Sequence, residues 1–166
     1  MSVCFKKTMP MSCGLESEKR YGHYVDSFEV VVSGELSAKL VYYAIFAYLP
    51  KSIQLALVVR NKLVSLFGFR PSLTVLSVPV EDLSAGTQCG DLIFYRVDDD
   101  EVICATNERH LDIWLSVQRV GNQMYAVTTL VNTHSWLGRL YLMVIRPLHK
   151  LVARQAILSA LNHQRL

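Results

Sequence analysis

The sequence predicts an α+β fold: a curved antiparallel sheet of about six strands, two short helices after the first strand, and one long C-terminal helix lying across the sheet. Three observations carry this. Residues Trp136 to Leu166 are periodic at helical spacing, with Leu137, Leu140, Tyr141, Val144, Leu148, Leu151 and Val152 on one face. The segment from Asp26 to Ser33 alternates, placing Phe28, Val30 and Val32 opposite Ser27, Glu29, Val31 and Ser33. Between these two ends lie two helical runs followed by about five strand-like runs separated by turn residues.

Met1 to Tyr24 lacks periodicity and mixes Lys, Ser, Glu and Gly, which predicts a mobile N-terminal arm, with residues 25–166 as a single domain. Gly34 ends the first strand, and Ser37 is placed to cap a helix that runs to about Leu49, where Pro50 stops it. A second helix is expected from Lys51 to Phe67, with Ile53, Ala56, Leu57, Leu63, Val64 and Phe67 inward and Gly68 as its C-terminal cap. Strands are expected near Leu73–Val80, Asp91–Val97, Val102–Thr106, His110–Val120 and Gln123–Asn132. Asp98, Asp99 and Asp100 mark one hairpin tip and Gly121–Asn122 another. Pro147 cannot donate to the Met143 carbonyl, so the terminal helix should bend there.

With 166 residues the chain can bury a real core as one domain, and its 51% hydrophobic content needs a cavity or a subunit contact to absorb the excess. A net charge of +3, scattered along the chain, gives no nucleic-acid footprint. Cys4, Cys13, Cys89 and Cys104 show no ligand spacing, so neither a metal nor a disulfide framework is expected. Leu40 to Val59 has the length of a membrane span, but Pro50 and Lys51 interrupt its centre, so no span is expected. No secretory signal precedes it, and a cytoplasmic protein with free thiols follows.

Three stretches carry a family resemblance: Asp26-Ser27-Phe28 with Gly34 and Leu36-Ser37; Glu108-Arg109-His110-Leu111-Asp112; and Leu137-Gly138-Arg139-Leu140-Tyr141 followed by Pro147-Leu148-His149. Together they resemble the bacterial domain-of-unknown-function family two-eight-six-seven, which also occurs fused behind NAD(P)-binding domains. The resemblance implies no reaction. Its element order is similar to the helix-grip architecture of START-like and plant-allergen-like lipid binders, an analogy of fold alone. No Gly-rich dinucleotide loop stands in this chain, so the cofactor of the fused relatives does not carry over and none is expected.

If sheet and terminal helix enclose a cavity for a hydrophobic or amphipathic molecule, the expected lining is Phe28, Val30, Leu111, Ile113, Leu115, Val127, Val144 and Leu148. The rival is an enzyme, or an accessory domain to an NAD(P)-dependent reductase, using His110 with Asp112 or Tyr141 with His149. On a strand from His110, residues His110, Asp112, Trp114, Ser116 and Gln118 share the wetter face, where the His–Asp pair equally well orients a loop. Trp114 there points to a homodimer contact. Arg139 is expected to lock the helix to Asp112 or Glu108. Arg146, Lys150 and Arg154 form a basic stripe at intervals of four, either a solvated face or a docking strip for an anion.

Overall fold

The sheet follows from alternation, and the helices sit where the alternating apolar residues point. The computed structural model describes residues 3–66 and 78–166. Among these, the elements are β1 (Val3–Lys6), β2 (Tyr24–Val31), α1 (Ala38–Phe46), α2 (Lys51–Leu66), β3 (Gln88–Cys89), β4 (Leu92–Val97), β5 (Glu101–Asn107), β6 (Leu111–Gly121), β7 (Met124–Thr133) and α3 (Trp136–Asn162). The described strands form one sheet of seven in the order β1-β2-β7-β6-β5-β4-β3. Every pairing is antiparallel.

The expected α+β class, with two helices after an early strand and a long C-terminal helix, is what forms. Two strands lie beyond the sequence expectation, the short edges β1 and β3. The expected strand near Leu73–Val80 lies almost wholly outside the described residues, and Val80–Asp82 is a single helical turn. Ser37 caps α1 as expected, its side chain accepting from the Leu40 amide. The acidic tip also forms: Asp98 Oδ1 accepts from the Asp100 and Glu101 amides at 2.9 and 2.7 Å, and Arg96 pairs with Asp98 at 2.6 Å.

Registers such as Phe28↔Val127, Val117↔Val127 and Cys104↔Phe94 stack apolar residues on one face of the sheet. That face packs against α1 and α3 in the main core, where Tyr42, Phe94, Tyr125 and Ile157 are almost fully buried. Burial of side chains this large supplies most of the folding drive, at roughly 1.5–3 kcal/mol each.

The opposite face is not the wet surface that its polar residues suggest. Of the segment expected as a mobile arm, residues 3–24 contribute β1 and then run beneath this face, where Met9, Cys13 and Leu15 are buried against Ile103 and Leu130. Hydrogen bonds rather than periodicity hold the segment. Glu101, 1% exposed, accepts from the Gly14 amide, the Ser116 hydroxyl at 2.7 Å and Arg96 at 2.9 Å. Gln118 donates to Ser12 Oγ, and Asn132 accepts from the Arg20 amide while donating to the Glu18 carbonyl. Asp112, Ser116 and Gln118 are therefore buried. Trp114 packs beside this cluster and 5.0 Å from the Tyr95 ring.

Candidate functional site

The start of α3 fixes its position on the sheet. Ser135 caps the helix by accepting from the Gly138 amide, and its Oγ also meets His110 Nδ1 at 3.0 Å. A Cβ on Gly138 would stand 2.4 Å from the His110 carbonyl oxygen, so only glycine allows this approach. The helix is thereby seated with Gly138, Tyr141, Ile145, Ala156, Ile157 and Ala160 buried. This is a rotation from the expected stripe: Val144 and Leu151 are 48% and 54% exposed.

Between the helix-bearing face of the sheet and α1, α2 and α3 lies a cavity of about 210 Å³. Its wall is formed by sheet residues such as Phe28, Leu115 and Val127 and by helix residues such as Ile53, Ile145 and Val152. Of the expected lining, Phe28, Ile113, Leu115, Val127 and Leu148 stand on this wall. Val30 and Leu111 are buried in core clusters behind it, and Val144 faces solvent because of the helix rotation.

One end of the cavity is polar, with Tyr24, Thr106, Glu108, Thr129, Tyr141, Arg146 and His149 on the wall. Tyr24, Asp26 and Phe28 share one face of β2, so Asp26, fully buried, stands between two wall residues. Tyr24 donates its hydroxyl to Asp26 Oδ2 at 2.7 Å. Burial, with the Asp26 hydrogen bond, pushes the Tyr24 phenol well above its ordinary value, so it remains a donor. His149 Nε2 lies 3.5 Å from Asp26 Oδ1. Both atoms are buried, and neither has a hydrogen bond among the described residues.

His110 and Asp112 are tied elsewhere, into the joint between the sheet and α3. His110 precedes β6 and meets Ser135, while Asp112 Oδ2 lies 2.8 Å from His134 Nε2. Asp112 thus takes His134 where Arg139 was the expected partner, and Arg139 is exposed. The basic stripe is split as well. Arg146 covers the Tyr24 ring at 4.4 Å and Lys150 the Phe5 ring at 4.5 Å, leaving Arg154 exposed.

Sequence reasoning missed Asp26, although the signal was present. It occupies the same alternation parity as Phe28 and Val30, and a carboxylate on the core side of a strand must find a partner inside.

The chain matches the family model described as Protein of unknown function (DUF2867) over residues 20–156. It belongs to that family. Comparison with curated proteins and with solved structures finds no match. The matched part of this DUF2867 chain takes in Tyr24, Asp26, Tyr141 and His149, and leaves β1 and the buried Cys13 and Leu15 outside. Among the described residues no cluster of His, Cys, Asp or Glu is placed to hold a metal ion, and no helix is long and apolar enough to cross a membrane.

Proposed function

We propose that the protein binds a small hydrophobic or amphipathic molecule between the sheet and α3, in a container of the helix-grip type. The observation that carries this reading is the cavity of about 210 Å³ with predominantly apolar walls and a polar end. An apolar cavity of about 150 Å³ is enough to take up benzene, so this one has room for a larger guest. Native mass spectrometry of protein purified from its own host tests the reading. The expected result is a co-purifying small molecule lost on denaturation; a bare chain that also takes up no added apolar compound contradicts it.

A second reading, an enzyme or an accessory domain to an NAD(P)-dependent reductase, draws on one observation: Tyr141 and His149 both stand on the cavity wall. Its test is His149→Ala with the fold intact. Unchanged turnover of a candidate substrate removes His149 from any reaction.

A further inference from the structure

Charge is divided unevenly between the helices and the rest of the fold. The helices α1, α2 and α3 carry eight of the 17 lysines and arginines and none of the 14 acidic residues, which leaves nine basic residues against 14 acidic ones elsewhere in the chain. On α3 this charge is ordered. Arg139, Arg146, Lys150 and Arg154 follow one another at intervals of seven, four and four, and Trp136, Met143, Pro147 and Leu151 repeat those intervals three positions earlier. Two parallel lines, one basic and one apolar, therefore run along the helix. All four apolar residues are exposed, as are Arg139, Arg146 and Arg154. None of the described ion pairs includes Arg139 or Arg154, and Arg146 and Lys150 lie over rings that leave their charge in place. Beside them α2, which packs against α3, turns Ile53, Ala56 and Leu57 to the cavity and leaves Leu55, Val58 and Val59 exposed.

We propose that these outer faces of α2 and α3 dock the protein on the surface of an anionic lipid bilayer. The apolar line lies at the boundary of the acyl chains, with Trp136 at headgroup depth, and the basic line meets the lipid phosphates. Charge and apolar exposure together select this occupant. In a symmetric pair a second copy would present the same face and bring eight more cations with no carboxylate to oppose them. Nucleic acid would satisfy the basic line through its phosphates but leave Trp136, Met143 and Leu151 in water. An anionic bilayer offers a partner to each line at once. The inner sides of the same helices wall the cavity, so docking holds that cavity beside the lipid, but the docking does not depend on the cavity taking a guest.

Co-sedimentation of the full chain with phosphatidylcholine vesicles, and with vesicles that also contain phosphatidylglycerol, tests this. The mixed vesicles should bind the protein at least about tenfold more tightly, because each lysine or arginine near an anionic surface brings roughly a fivefold gain. Arg139→Gln with Arg154→Gln should weaken that binding about tenfold or more. Met143→Ser with Leu151→Ser should weaken it about as much, through lost apolar contact. Both pairs lie at exposed positions, and circular dichroism checks that each variant keeps its fold. Binding to neither vesicle, equal binding to both, or binding that either double variant leaves within about twofold overturns the proposal. Duplex DNA bound as tightly as the mixed vesicles also overturns it, in favour of a general anion surface. So does a dimer in sedimentation equilibrium that Met143→Ser with Leu151→Ser dissolves, which gives the face to a second copy.

Discussion

Filling the cavity from α3 should stabilise the protein, and the sign of the effect is the test. Ala156 is 3% exposed and stands on the wall. Ala156→Leu adds three carbons; at about 0.8 kcal/mol per buried methylene the gain is about 2.4 kcal/mol. Freezing the leucine rotamer costs about 0.5–1 kcal/mol, which leaves about 1.5 kcal/mol. Helix propensity barely changes, since alanine and leucine are both strong formers. For a chain of this length that corresponds to a rise in Tm of about 3–6 °C. Thermal unfolding followed by circular dichroism measures it. A solid core would respond in the opposite sense, with a loss of about 1–3 kcal/mol from overpacking. A fall in Tm would therefore refute the cavity.

Gly138→Ala should lower stability by about 1–3 kcal/mol despite its better helix propensity, because the new methyl meets the His110 carbonyl; urea unfolding checks this. Glu101→Ala strands the buried Ser116 hydroxyl and the Gly14 amide, while Arg96 keeps Asp98, and should cost about 2–4 kcal/mol. The same change should release the N-terminal segment, read as faster tryptic cleavage after Lys19 and Arg20; unaltered cleavage would contradict the proposed anchor. Burial pushes the Cys13 and Cys104 thiols up from 9.0, to about 11 and about 12. Between these values and 9.0 the folded chain keeps protons that the unfolded chain has lost, so stability is full below pH 9 and falls as pH rises through 11. Urea midpoints at pH 8 and above, with Cys104→Ala flattening the slope, test the sign. At pH 8, Cys4, which is exposed, should react with a thiol reagent in the folded protein well before Cys13 and Cys104.

Which parts of this were legible in the sequence follows from the range of the forces involved. Strands β4 to β7 and helix α3 were legible because alternation, helical spacing and turn residues act over a few positions. The rotation of α3 was not, because apolar residues stand on two overlapping stripes. Tertiary contact at Gly138 and at Ala156 decides between them, and Val144 and Leu151 lose. The N-terminal segment was illegible for a different reason. Cys13, Ser12 and Glu18 are held by Glu101, Gln118 and Asn132 in turn, partners about 90 to 110 positions away, and no local pattern encodes that. The same cover reverses the expectation of a wet outer face at Ser116 and Gln118. At the candidate site, Tyr141 and His149 were legible as inward polar residues on α3. Asp26 was passed over because the expected strand began at that residue, where a polar side chain reads as a boundary, whereas β2 begins two residues earlier at Tyr24.

Diffraction from crystals held under xenon pressure tests the central claim most directly, because xenon enters apolar cavities without needing a specific partner. The account predicts density, either for xenon or for a molecule retained from the host, bounded by Phe28, Leu115, Ile145 and Val152. A continuous packed core in that place, with neither xenon nor a guest, would contradict it.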